Sequence, residues 1–151
     1  MLNHGAIWLD HKGRLIAINY QSKRERNERE KLIEIDKKLI HMSLNKYLQP
    51  KLLLETKKFR IRIDELSNGD FRYASWSINS TMSEKPDLVI KNGSWSPDGS
   101  GGNNSYEFVN GVYKYKCSIN IIGSDETPPA DLTIYKNDKE IVYQPAKIIR
   151  E

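Results

Sequence analysis

From Phe59 onward, apolar and polar positions alternate in short runs, and Asn-Gly dipeptides stand between those runs at 68–69, 92–93 and 110–111. A period of two sends successive side chains to opposite faces of a strand, and Asn-Gly supplies the positive φ that tight hairpin turns require. A two-residue loop at Asn68-Gly69 sets Ile63 opposite Ala74, Ile61 opposite Trp76 and Phe59 opposite Ile78, with Glu65 near Arg72. A loop at Asn110-Gly111 sets Phe108 opposite Tyr113 and Tyr106 opposite Tyr115, with Glu107 meeting Lys114 on the other face. Around Asn92-Gly93, residues 87–91 and 94–96 form a shorter hairpin with Ile90 opposite Trp95. A loop at Asn137-Asp138 sets Ile134 against Ile141 and Leu132 against Tyr143, but it opposes Lys136 to Lys139, so a longer loop is expected there.

The run from Val112 to Ile122 carries the alternation furthest: Tyr113, Tyr115, Cys117, Ile119 and Ile121 alternate with Lys114, Lys116, Ser118 and Asn120. One face belongs to a core and the other to water, which makes Cys117 a buried small hydrophobe and not a nucleophile. Seven or eight strands follow one another through short turns. The expectation is a mainly β fold, an antiparallel hairpin meander over residues 57–149 that forms a small barrel or a sandwich. Alternation alone does not choose between the two.

The front of the chain has a different period. Residues 7–9 and 14–20 read as two short strands around a turn that holds Asp10, His11 and Gly13. Ser22-Lys23-Arg24-Glu25 then has the form of a capping box and predicts a charged helix over about residues 23–41. Leu32, Ile35 and Leu39 share one face of it, whereas its first two turns are almost wholly charged. Pro50 marks a boundary, leaving a basic hairpin-plus-helix segment over residues 1–50 ahead of the β region.

Charge sharpens that division. Residues 1–56 hold 11 Lys and Arg against 7 Asp and Glu, whereas residues 57–151 hold 13 of each, so the net charge of +4 belongs to the front. Any contact with nucleic acid must rest there, with Lys23, Arg24, Arg26, Arg29 and Lys31 as the candidate residues, although acidic residues are interleaved among them. The stretch from Gly13 through Arg14-Leu15-Ile16-Ala17-Ile18-Asn19-Tyr20-Gln21 to Ser22-Lys23-Arg24, with Asn27-Glu28-Arg29-Glu30-Lys31-Leu32-Ile33-Glu34, resembles a segment of DDE-type insertion-sequence transposases. There a strand leads through a Ser-Lys-Arg turn into a charged helix. The resemblance implies a transposase-derived, non-catalytic element joined to an unrelated β domain. It carries over no member of the metal-binding triad.

In the β region the most unusual segment is the Gly-rich loop 96–104, with Gly101, Gly102, Asn103 and Asn104 at its centre. It lacks the following helix and the Lys of a phosphate loop, so it reads as a flexible connection available for recognition. Asp125, Glu126 and Asp131 flank Pro128-Pro129 without matching a calcium-loop spacing. The three histidines, His4, His11 and His41, all lie in the front and have no ligand spacing. Most aromatic residues fall on apolar rows. Tyr73 and Trp95 are the ones expected to be partly exposed.

No catalytic set, metal site or cofactor motif can be assembled from these residues. The expected function is a non-enzymatic binding module that presents Tyr73, Trp95, Gly101, Gly102, Asn103 and Asn104 to a protein or small ligand. No apolar run reaches membrane-spanning length, and the single Cys117 suits a reducing, cytoplasmic setting.

Overall fold

The computed structural model describes residues 7–9, 15–18 and 20–150. The chain divides into two compact units, Met1–Leu39 and Ile40–Glu151.

In the first unit β1 (Ile7–Leu9) pairs antiparallel with β2 (Leu15–Ile18), with Ile7 opposite Ile18. His4, Asp10 and His11 lie outside the described residues. Helix α1 runs over Tyr20–Leu39, so Ser22 falls inside its first turn and not at its cap. Leu32, Ile35 and Leu39 are exposed along it. His41 lies beyond this helix and caps a 3-10 turn, Met42–Leu44, where its Nδ1 accepts the Ser43 backbone N–H at 3.2 Å.

The second unit is a closed, eight-stranded antiparallel barrel: β3 (Gln49–Glu55), β4 (Phe59–Glu65), β5 (Phe71–Ser77), β6 (Leu88–Pro97), β7 (Asn104–Asn110), β8 (Tyr113–Ile119), β9 (Ala130–Lys136) and β10 (Lys139–Arg150). Each strand pairs with the next, and β10 pairs with β3 as well as β9, which closes the ring. β3 therefore adds a barrel strand ahead of residue 57.

Two long strands make the closure. β6 pairs with β5 through Leu88–Ile90 and Gly93 and with β7 from Ser94 to Pro97, while β10 leaves β9 after Ala146 and joins β3 from Lys147. Strands that change neighbours in this way form the corners of a barrel, and bulges or small residues let them bend. In β6 the corner is Asn92-Gly93, with Asn92 at φ 60°. This Asn-Gly is thus a bulge inside one strand and not the hairpin turn its dipeptide suggests. In β10 the corner is Pro145-Ala146, where Ala146 lies opposite Ala130 and both are buried.

The inward rows form one core: Leu52 and Leu54 of β3, Ile61 and Ile63 of β4, Tyr73 of β5, Phe108 of β7, Cys117 of β8 and Leu132 of β9 are all at most 2% exposed. Cys117 occupies the place its row assigns. Burial raises its thiol pKa well above the usual range, with Asp131 adding to the effect.

The hairpin registers differ from the two-residue-loop expectation in instructive ways. At 66–70 the loop is longer: the Leu66 N–H donates to the Asp70 carbonyl at 2.8 Å, and the Asn68 side chain accepts the Asp70 N–H at 3.0 Å. Ile63 therefore pairs with Tyr73 and Ile61 with Ser75, one residue away from the expected partners. A one-residue slip exchanges the faces of β5. Tyr73 and Ser75 turn into the barrel, while Ala74 and Trp76 turn outward. At the next Asn-Gly, Asn110 pairs with Tyr113 and the loop is Gly111-Val112, so Phe108 meets Tyr115 and Tyr106 meets Cys117. This shift of two keeps the faces. Asn137 and Asp138 do form a two-residue turn, both with positive φ, and Lys136 pairs with Lys139 without a longer loop. A bulge after Glu140 then pairs Ile134 with Val142 in place of Ile141. The strand through Cys117 stops at Ile119, leaving Ile121 exposed and not in the core row.

Outside β4 and β5 lies a second packed layer. Trp76 donates its indole N–H to the Glu84 carbonyl at 2.8 Å. Asp64, which is fully buried, accepts from Arg62 Nε at 2.8 Å and from Arg72 Nη2 at 3.0 Å. Arg72 also donates to the carbonyls of Leu44 and Lys46, and the Arg62 guanidinium lies 5.0 Å from the centre of the Tyr47 ring. Two cations and one carboxylate thus fasten the segment that leads into β3 against the barrel wall.

Candidate functional site

Because neighbouring strands run in opposite directions, loops 56–58, 78–87, 111–112 and 137–138 gather at one end of the barrel, and loops 66–70, 98–103 and 120–129 at the other. The two ends differ in chemistry.

The first end holds a cup of about 160 Å³ in the barrel interior. Phe59, Tyr73 and Tyr115 give it aromatic walls, Leu88, Leu132 and Ile134 aliphatic ones, and Ser75 and Asp87 its polar groups. Tyr73, Ser75 and Leu132 are buried, whereas Asp87 is exposed at the mouth. The site follows from the β5 register: inward alternation carries Tyr73 and Ser75 into the interior, and the ladder with β6 brings Asp87 beside them. The Asp87 N–H donates to the Ser75 carbonyl at 2.8 Å, and its Oδ2 accepts the Ser77 N–H at 3.0 Å. The carboxylate is thereby oriented, and Asp87 Oδ1 accepts no hydrogen bond among the described residues.

The Tyr73 and Tyr115 rings stand 5.4 Å apart, inclined at 48°, and Tyr73 is backed by Phe108 at 5.5 Å. Burial raises the Tyr73 phenol pKa strongly, with Cys117 and Tyr115 adding to the effect and a hydrogen bond with Ser75 opposing it. Tyr115 shifts upward through burial and its neighbour Tyr113. Both phenols are therefore neutral donors at ordinary pH, and the lining contains neither His nor Lys to activate Ser75.

Of the residues expected at a binding surface, Tyr73 alone belongs to this cup, and it is 2% exposed and not at a partly exposed strand end. Trp95 is 48% exposed at the opposite end, where its indole N–H donates to Asn104 Oδ1 at 2.9 Å. Gly101, Gly102 and Asn103 are beside it. Asn103 Oδ1 accepts the N–H groups of Ile121 and Ile122 at 2.7 and 2.8 Å, which ties loop 98–103 to loop 120–129. Gly102 has φ +95°, a backbone state that favours glycine. The Gly-rich loop is thus bonded to its neighbour and not a freely flexible connection. Asp125 and Glu126 are exposed, whereas Asp131 is buried and accepts from the Asn120 side chain at 3.0 Å. Among the described residues no group of three His, Cys, Asp or Glu side chains is placed to hold a metal ion.

On α1 the five basic candidates do not share one face. At about 100° per residue, Arg24 and Lys31 lie about 20° apart and Lys23 within about 100° of them, while Arg26 lies about 60° from Lys23 on its other side and Arg29 further round. No helix among the described residues is long and apolar enough to cross a membrane.

The two-residue turn expected at Asn68-Gly69 would place Ser75 on the outer face, and the sequence alone does not bring Asp87 next to it. The available signal was Tyr73 itself: a Tyr-x-Ser row facing Ile61 and Ile63 needs only the longer turn that Asn68 and Asp70 build.

Comparison with known proteins adds nothing to this geometry: no family model, curated protein or solved structure matches the chain.

Proposed function

We propose that the barrel is a non-enzymatic binding module whose cup takes a small ligand with a single ring or a short apolar chain. The observation that carries this reading is the inward placement of Tyr73 and Ser75 beside Leu132 and Ile134 in the cup at one end of the barrel. Small-molecule sites combine apolar walls with a few placed polar groups, and a cavity of about 150 Å³ is large enough for benzene. Cys117 is buried within the core, where burial raises its thiol pKa and keeps it protonated, which supports binding without covalent chemistry.

Titrating the isotope-labelled full chain with benzyl alcohol tests the reading. Amide and methyl shifts are expected at Phe59, Tyr73, Leu88 and Ile134, and they disappear in Ser75→Phe, which fills the cup, provided its circular dichroism spectrum is retained. Shifts confined to residues 95–104 would move the site to the other end, and no shifts at all would overturn small-ligand binding.

A second reading, weak nucleic-acid association by a transposase-related front segment, draws on Lys23, Arg24 and Lys31, which are exposed and lie within about 100° of one another around the helix. Three phosphate contacts give an affinity that falls with salt at a log–log slope of about −3. DNA titrations at several salt concentrations check it, and a flat dependence removes it.

A further inference from the structure

We infer that the cup selects an organic cation: an ammonium group on a body no larger than a single ring. This rests on the reading of the cup as the ligand site and adds the charge that it recognises.

Three observations carry the inference. Asp87 is the only residue with a formal charge among those that line the cup, and no Lys, Arg or His accompanies it. Its carboxylate is held by the Ser77 amide through Oδ2, which leaves Oδ1 to accept a donor at the mouth. Phe59, Tyr73 and Tyr115 line the same cup as the carboxylate, with the Tyr73 and Tyr115 rings 5.4 Å apart and inclined by 48°.

A carboxylate in a cup lined by aromatic rings is favourable for a cation twice over. The ring quadrupole attracts positive charge, and the oxygen accepts the N–H. The same arrangement disfavours an anion, which would meet Asp87 with no cation in the lining to offset the repulsion. A neutral ring gains the apolar contacts but not the charge terms. The volume of about 160 Å³ limits the body to one ring or a few methylene groups.

Three probes of the same shape separate these contributions: benzylammonium, benzyl alcohol and benzoate, each titrated into the full chain at pH 7 and followed by NMR shifts of Phe59, Tyr73 and Ile134. Benzylammonium is expected to bind at least tenfold more tightly than benzyl alcohol, with benzoate weakest. Asp87→Asn, whose amide oxygen still accepts the Ser77 N–H, is expected to lower the ratio of benzylammonium to benzyl alcohol affinity severalfold. Equal or tighter binding of benzyl alcohol by the unaltered chain would overturn the cation preference and leave the cup reading standing. A ratio that Asp87→Asn leaves unchanged would also overturn it, because the selectivity would then not reside in Asp87. If none of the three binds, both readings fall together.

Discussion

Phe108 lies directly over Gly93: a Cβ built on Gly93 would come 2.2 Å from Cε1 of the Phe108 ring. The contact explains why β6 carries glycine at its corner. The strand must bend inward where it leaves β5 for β7, and the ring of Phe108 occupies the space a side chain would take.

Gly93→Ala is therefore expected to destabilise the barrel by about 1–3 kcal/mol, the usual cost of forcing a methyl group into a filled core. Urea unfolding measures it. In a Phe108→Leu background the same substitution should cost less, giving a coupling energy of about 0.5–3 kcal/mol in a double-mutant cycle. Gly101→Ala offers a contrast, since the added Cβ would meet only the terminal Cδ1 of Ile122, the end of a flexible and exposed side chain. Its effect should be within about 0.5 kcal/mol.

Asp64 is the carboxylate shared by Arg62 and Arg72, and all three side chains are at most 4% exposed. Asp64→Ala removes the counter-charge from two buried guanidinium groups and is expected to cost about 3–5 kcal/mol. Arg72→Met tests the fastening role separately. It deletes the bonds to the Leu44 and Lys46 carbonyls, so amide hydrogen exchange should quicken over residues 41–48 before it quickens in β4. Uniform quickening across the barrel would show that the segment and the wall open as one.

Alkaline pH should weaken the fold in a defined window. Burial raises the folded-state pKa of Cys117 and of Tyr73 above their ordinary values of 9.0 and 10.0. The unfolded chain therefore loses these protons first. Stability from this source is fully present below about pH 9 and falls as pH rises above it, towards the folded-state values. Denaturant midpoints measured from pH 7 to 10.5 should fall only in the upper part of that range, and Cys117→Ala should flatten the fall between about pH 9 and 10. In the folded protein at pH 8, Cys117 should resist alkylation and become reactive on unfolding.

Much of this architecture could be read from alternation and turn chemistry. The meander and the inward row through Cys117 follow from local rules, whereas the tight Asn137-Asp138 turn forms although it opposes Lys136 to Lys139, against the longer loop that repulsion predicts. The harder features depend on contacts that a local rule does not contain. Asn92-Gly93 has the dipeptide of a hairpin, but its glycine answers to Phe108, fifteen residues away in β7. Asn68-Gly69 sits in a longer loop because the Asn68 side chain bonds to Asp70, and that one extra residue exchanges the faces of β5. The candidate site was hidden by the same slip. Ser75 faces solvent in the two-residue-turn register and turns inward with Tyr73 in the longer one, and Asp87 is brought to the cup by its bonds to both Ser75 and Ser77.

The seam between β10 and β3 has a consequence for how the barrel forms. Seven of its eight ladders join strands adjacent in sequence, whereas Lys147 opposite Glu55 and Ile148 opposite Leu54 bring together the two extremes of the unit. The mean loop to be closed is therefore short apart from this one ladder, which concentrates the entropy of closure in a single late step. Until Lys147–Arg150 is in place, β3 and the last turn of β10 are unpaired sheet edges. A chain arrested at that stage exposes two strand edges whose backbone N–H and C=O groups have no ladder partner, the kind of edge that invites pairing with other strands.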